Sequence, residues 1–557
     1  MMDQFTLEII QDSLSAISDE MFITMQRTSM SPIIYESLDY AVGITNEHGE
    51  LLAQGNGVTA FLACLDSVVV NILDKFPAES LSKGDVIICN TPYKGGGTHL
   101  SDVSVITPVF YENKLVAFTV NKAHWTELGG TFPGSVSTVA TEIYQEGLHF
   151  PAIKIKEGGV INSAIVDLIK ANVRLPESTQ GDLMAAIAAS ETGASRISEL
   201  IDKYGRDVFQ HAKINLLNYG EKLSLKALKG IPNGVYEGES IIENDGFGNG
   251  PFPLKVKVKI SESKFEVDFR GSHPQVLGAV NLSRTGLVTG IRSIFKAITT
   301  PSTPVNGGEF RSLNVYTDKK SIVSAEPPSA FSIYYETLIT SMDLVWKVLA
   351  PIVPTKLPAG HMRSVCATFI SGIHPETKDF YIQAEPLAGG WGAGCSFDGN
   401  RGQLSAGSGE SYNIPIEIRE MKYGVLIDQY TFHNEGGGYG EYQGGNGQYL
   451  DIKIMSDKCS LTAAYLGAVV PTWGILGGAE GSFNYVLIIR KTGEIEKHSM
   501  ITNLQLDIGD IVRCVTATGG GYGDPLKRPK AKVLLDIKNG YITKKQAIEH
   551  YKLNFDE

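Results

Sequence analysis

Gly95-Gly-Gly-Thr-His99-Leu-Ser-Asp102 runs into the apolar stretch 103–111, and the stretch 115–120 runs into Ala123-His124-Trp-Thr-Glu127-Leu-Gly-Gly130, with Glu112-Asn113-Lys114 between them. Two β-rich runs joined by a short polar turn predict a hairpin. Folding it about Asn113 sets Asp102 opposite residues 123–125, where directly paired residues lie about 5 Å apart. Asp102 and His124 then meet at the open end of the hairpin, with His99 a few residues upstream. Two imidazoles and a carboxylate form a nitrogen and oxygen donor set of the type that takes Zn²⁺, Mn²⁺ or Fe²⁺. A hydrogen-bonded His–Asp network accounts for the same residues equally well. Glu127, three residues after His124, is the candidate general base; its plainer reading is a turn residue before Gly129-Gly130. Asp39 stands before the first strand of a second hairpin, 40–45 and 51–54. It is a candidate fourth ligand or an ordinary strand cap. His361 and His433 fall in loops, each isolated from other donors.

Outward from this hairpin, an apolar stripe at helical spacing (Leu7, Ile10, Leu14, Ile17, Met21, Met25) predicts an N-terminal helix ended by Pro32. A helix is expected at 61–75 and a short buried strand at 86–89. Residues 160–230 are predicted helical. The period then changes to two in Leu254-Lys-Val-Lys-Val-Lys-Ile260. Helices come next near 289–299 and 332–349, and 355–525 reads as strand- and glycine-rich. Thr543 is the expected cap of a last helix, 542–551. The fold class is α+β and multidomain: a β-rich, glycine-rich core with an N-terminal metal-binding hairpin region and a helical insertion. The expected division is 1–160 (α+β, the metal-site region), 161–232 (helical), 233–355 (mixed), 356–525 (glycine-rich β) and 526–557 (helical tail).

At 557 residues the chain exceeds one ordinary core. Its 43% hydrophobic and 20% charged content is that of a soluble globular protein. A net charge of −12 and the lack of a basic block argue against nucleic acid as a partner. No run approaches the ~18–20 apolar residues of a membrane span, and no secretory signal is visible at the N-terminus. The six cysteines include no CxxC pair, which fits reduced thiols and a cytoplasmic location. The 60 glycines invite a nucleotide reading. There is no Gly-Lys-Ser/Thr, no GxGxxG opening a helix after a strand, and no GxSxG elbow. The pentapeptides at 436–440 and 519–523 are expected to be structural turns, so no nucleotide-binding residue is assigned.

The motifs together carry a resemblance. Glu36-Ser-Leu-Asp39-Tyr, Gly95 to Val103, Lys122-Ala-His-Trp-Thr-Glu-Leu-Gly-Gly130, Glu142-Ile-Tyr-Gln-Glu-Gly147, Gln180-Gly-Asp-Leu, Pro304-Val-Asn-Gly-Gly308 and Thr518 to Pro525 occur in order over nearly the whole chain. In these the sequence resembles the hydantoinase B/oxoprolinase family, the B-type subunits of ATP-dependent cyclic amide hydrolases, with relatives in ketone carboxylases. The resemblance implies one divalent transition ion, zinc first and manganese or iron after it, held by Asp39, His99, Asp102 and His124. It implies that ATP binds an A-type ATPase subunit in a hetero-oligomer, and that the substrate is a small cyclic amide such as a hydantoin, a lactam or 5-oxoproline. It implies a hydrolase of cyclic C–N bonds that acts after the partner phosphorylates the carbonyl. Many members carry His-His-Ala-Asp where this chain has His124-Trp-Thr-Glu127, which leaves the role of Glu127 open. The rival readings are a subunit of an acetone- or acetophenone-type carboxylase and a scaffold subunit with a structural metal. The chain is shorter than the carboxylase relatives, which favours the hydrolase.

Overall fold

The N-terminal apolar stripe folds as the helix Gln4–Thr28, with Ile10, Leu14, Met21 and Met25 fully buried. It stops short of Pro32. That proline instead opens the short helix Pro32–Tyr35, because a first-turn position needs no N–H. The structure is a computed structural model that describes residues 4–555. The fold mixes helices and strands in two units. One holds residues up to 235, 256–334 and 407–412; the other holds 236–255, 335–406 and 413 onward. Each unit is therefore assembled from separated stretches of chain.

The first unit is built on a seven-stranded sheet. Its strands are β1 (Tyr40–Asn46), β2 (Leu51–Gly57), β3 (Val86–Cys89), β4 (Asp102–Tyr111), β5 (Lys114–His124), β6 (Ile153–Glu157) and β7 (Val160–Ile161). The order is β2-β1-β5-β4-β3-β6-β7, every neighbour antiparallel. The helical stretch expected over 160–230 is three helices, Ser163–Asn172, Pro176–Tyr204 and Arg206–Leu228.

Strand alternation gives β5 two jobs. Thr119 and Asn121 face the helix Pro176–Tyr204 and donate to the carbonyls of Ser190 (2.8 Å) and Ala186 (2.7 Å). Gly193 permits that approach, since a Cβ there would run into the Met21 sulfur and lie 2.9 Å from the Thr119 methyl. Lys122 and His124 point the other way. The buried Lys122 ammonium reaches the carbonyl of Gly96 (3.0 Å) and the hydroxyl of Ser104 (3.4 Å). With both faces covered, β1 is buried along its whole length, as a central strand requires.

The helix Arg284–Thr299 belongs to the same unit. Ser283 caps it by accepting from the Gly286 amide (3.0 Å), and the same hydroxyl donates to the Gly97 carbonyl (3.2 Å). The helix start is thus tied to the glycine loop that carries His99.

The second unit contains two sheets. One runs Phe380–Glu385, Ala367–Ile373, Asp457–Ala464, Met500–Leu506; the other runs Val425–Phe432, Gln448–Ile454, Ile511–Val515, Tyr485–Ile489, Ile495–His498. Ile370, Leu461, Tyr465, Ile452, Val512 and Cys514 share one core between them. Its closing helix, Lys544–Tyr551, begins with a capping box from Thr543 and Gln546. No helix of the described residues is long and apolar enough to cross a membrane.

Candidate metal centre

β4 and β5 pair so that Asp102 lies directly opposite His124. The turn between them is Glu112-Asn113, both at positive φ (47° and 60°), the conformation of a type I′ hairpin turn. His99 is brought in from the loop before β4, where the Asp102 amide bonds to the His99 carbonyl (3.3 Å). Three donor atoms converge. His99 Nε2 and His124 Nδ1 each lie 3.1 Å from Asp102 Oδ1 and 3.2 Å from each other. All three side chains are buried. Among the described residues they form one cluster whose ligand atoms all lie within 4.8 Å of one another.

The donor set fits a cation. His99 Nδ1 lies 2.8 Å from the Ser332 carbonyl, which can only accept, so Nδ1 carries the proton. In the neutral ring Nε2 then turns a lone pair toward the Asp102 carboxylate oxygen, another acceptor. Two acceptors in contact need a proton or a metal cation between them, and the donor set suits either. Ligands on bonds of ~2.0–2.2 Å sit roughly 3.0–3.5 Å apart at angles from octahedral to tetrahedral, a range that includes the separations found. Asp102 is further oriented by the Tyr334 hydroxyl, which donates to Oδ2 (3.2 Å). Burial alone would raise the Asp102 carboxyl. The two histidines outweigh it and hold the group well below the usual carboxylate range.

Asp39 is not in the three-donor cluster. It sits where β1 runs beside β5, its carbonyl accepting from the His124 amide (3.0 Å). Burial pushes its carboxyl up to about 7; His124 opposes the shift and the Asp102 charge adds to it.

Glu127 is fully buried, and both its oxygens are engaged. Oε1 accepts from Arg174 Nη1 (2.8 Å) and the Gly129 amide; Oε2 accepts from the Gly134 amide (3.1 Å). Arg174 also donates to the Gly130 carbonyl (2.8 Å). These are the contacts of a carboxylate holding the 127–134 loop.

The two loop histidines both lie in the second unit. His433 Nε2 donates to the Thr516 carbonyl (2.7 Å). His361 is buried beside Trp346 and Trp391, with ring centroids 5.4 and 5.3 Å away, and burial lowers its pKa to about 4. Ser332 and Tyr334, both in contact with the cluster, were not singled out by the sequence. Nothing local marks them, because they lie more than 200 residues from their partners.

Comparison with known proteins extends the likeness to the whole chain. The sequence profile of the hydantoinase B/oxoprolinase family matches residues 3–525. A Methanocaldococcus jannaschii protein of uncharacterised function is 34% identical over 99% of this chain and 96% of its own length. The caprolactamase subunit beta of Pseudomonas jessenii is 29% identical over 97% of this chain and 94% of its own. The crystal structure of the ATP-dependent caprolactamase from P. jessenii superposes with a TM-score of 0.93, at 27% identity, over 100% of this chain and 98% of that one. A profile match of that extent, with the motifs of the hairpin inside it, makes this chain a member of the hydantoinase B/oxoprolinase family.

Proposed function

We propose that this chain is the metal-holding, B-type subunit of an ATP-dependent enzyme that hydrolyses a cyclic amide. The observation that carries the reading is the convergence of His99, Asp102 and His124, in a chain that matches a caprolactamase along its full length. His99, Asp102 and His124 hold a divalent transition ion, zinc ahead of manganese or iron, and Asp39 is the fourth ligand. Bound there, the ion supplies Lewis acidity at the reacting carbonyl. An unstrained amide is a poor electrophile. Phosphorylation of its carbonyl oxygen by an A-type ATPase subunit turns that oxygen into a leaving group and opens the carbon to water. This chain then presents the activated amide to water inside a buried polar cluster. The Ser332 carbonyl keeps His99 in the tautomer that offers Nε2, and Tyr334 keeps Asp102 aimed at both histidines. Arg174 and two backbone amides hold the Glu127 carboxylate, and these contacts favour a loop-holding role over the general-base role. The absence of a phosphate-cradling motif supports placing ATP on the partner. The reading also supports a small-molecule substrate and a cytoplasmic hetero-oligomer.

Elemental analysis and a reconstituted assay test it together. The purified chain carries about one transition ion, and His99→Ala or His124→Ala loses most of it, since a chelate weakens when a donor is removed. With an A-type partner, ATP turnover depends on a lactam or hydantoin. Full metal occupancy in both variants overturns the site. Turnover that demands bicarbonate and a ketone moves the chain to the carboxylases, and metal loss without loss of activity makes the ion structural.

A further inference from the structure

We propose that Glu146 is a positioning residue for the metal centre: it clamps the backbone at 331–332 so that the Ser332 carbonyl fixes the His99 ring. The inference rests on the reading of His99, Asp102 and His124 as metal ligands. Glu146 is 1% exposed, and its Oε1 accepts from two successive backbone amides, Phe331 (2.5 Å) and Ser332 (2.7 Å). The next polar group along the chain, the Ser332 carbonyl, lies 2.8 Å from His99 Nδ1. Two residues further on, the Tyr334 hydroxyl donates to Asp102. One short stretch, 331–334, therefore orients two of the three donors, and a carboxylate more than 180 residues away in sequence holds it.

Placing a carboxylate there is costly. Burial pushes the Glu146 carboxyl up to about 8, opposed by the Phe331 and Ser332 amides and the Ser332 side chain. The same stretch has other anchors. The Ile143 amide bonds to the Pro328 carbonyl (2.9 Å), the Ile333 amide to the Ala279 carbonyl (3.2 Å), and the Tyr93 hydroxyl to the Ser329 carbonyl (2.6 Å). The bonds to Pro328 and Ser329 hold the chain before the stretch, and the Ile333 bond holds the peptide unit that carries the Ser332 carbonyl. Glu146 holds the two peptide units immediately before it. Groups that orient a metal-binding imidazole through its second nitrogen typically change metal affinity 10–100-fold when removed. Here that control passes through a backbone carbonyl. The requirement is thus for an acceptor at the right reach, not for negative charge.

The test is zinc affinity of the full chain, measured by competition with a colorimetric chelator, alongside circular dichroism and thermal melting. Glu146→Gln keeps an acceptor at the same reach and should bind zinc within about threefold of wild type. Glu146→Ala, and Glu146→Asp with its shorter reach, should lose about 10–100-fold. Glu309→Ala is the control: it removes a buried carboxylate paired with Lys296 elsewhere in the same unit and should leave zinc affinity unchanged even if it lowers the melting temperature. Wild-type affinity in a folded Glu146→Ala or Glu146→Asp chain overturns the inference, as does retention by Asp with loss by Gln, or an equal loss in Glu309→Ala. If Glu146→Ala does not fold, the order of the Gln and Asp variants decides. A wild-type chain that binds no zinc overturns the metal reading itself, whereas zinc binding lost on His99→Ala with no effect at Glu146 overturns only the clamp.

Discussion

The loop before β4 and the stretches 436–447 and 519–523 are both dense in glycine, and they use it in opposite ways. In the loop, Gly95 and Gly97 take φ of +79° and turn the chain so that His99 and Asp102 converge with His124. The glycines there serve the donor side chains just downstream. In the other region the main chain packs against itself. The Gly438 amide bonds to the Glu480 carbonyl (2.7 Å), Gly444 to Gly438 (2.8 Å), Gly519 to Gly445 (2.9 Å), Gly520 to Gly360 (2.8 Å) and Gly521 to Ala479 (2.9 Å). An anion-binding loop needs amides free to point at a ligand, and these are already committed to carbonyls. Glycine content alone does not separate the two uses; the residues immediately downstream of each glycine do.

The sharpest way to break this comparison is Gly519→Ala. Its Cβ would run into the Trp391 carbonyl and lie 2.7 Å from the Gly392 amide nitrogen, and neither backbone can move aside cheaply. A loss of roughly 4–5 kcal/mol or more is expected, in the range reserved for severe core disruption, read as loss of soluble protein or a collapsed melting temperature. A melt within a few degrees of wild type would mean that the region is not close-packed.

Glu127→Gln sharpens the hairpin side. The amide keeps one acceptor and turns a donor toward Arg174 or the loop amides, so stability should fall by roughly 1–3 kcal/mol. If Glu127 holds the loop, turnover in the reconstituted complex with saturating ATP should drop by less than about tenfold, with metal retained. A loss of about 10²–10⁴-fold would restore the general-base role.

Gly158→Ala gives the smallest effect and calibrates the others. Gly158 has φ +54°, but nothing lies within 4 Å of a Cβ built there, so only the left-handed backbone penalises alanine, by about 1–2 kcal/mol. A shift comparable to that of Gly519→Ala, measured by chemical denaturation, would show that backbone conformation rather than packing governs both sites.

Much of the local structure was legible because it is periodic. Leu7 to Met25 announced a helix, and the runs on either side of Asn113 announced the hairpin. Thr543 announced its cap. The hairpin also brought Asp102 to within a residue of His124, but the slip that sets the two directly opposite each other carried no sequence signal. What else was not legible was set by partners far apart in the chain. Glu127 meets Arg174 in a separate segment, and neither carries a signal of the other. Ser332, Tyr334 and Glu146 reach the centre through contacts that no spacing encodes. The two units were hidden for the same reason, since 407–412 belongs with the first although its neighbours on both sides belong with the second.

The hairpin also works as a vernier. Counted from its two-residue turn, Tyr111 faces Lys114 and Phe110 faces Leu115, a register that carried onward would set Asp102 against Ala123. Instead the register slips by one between Phe110 and Val109, so that Val109 faces Ala117 and Asp102 faces His124. Successive residues of a strand point to opposite faces. Without that slip, His124 would turn toward the side of the sheet where Thr119 and Asn121 meet the long helix, away from Asp102. One unpaired residue, Val116, thus decides from about eight positions away whether an imidazole and a carboxylate share a face. Mutational scans confined to the donors would miss it, whereas deletion of Val116 should separate the donors while sparing every one of them.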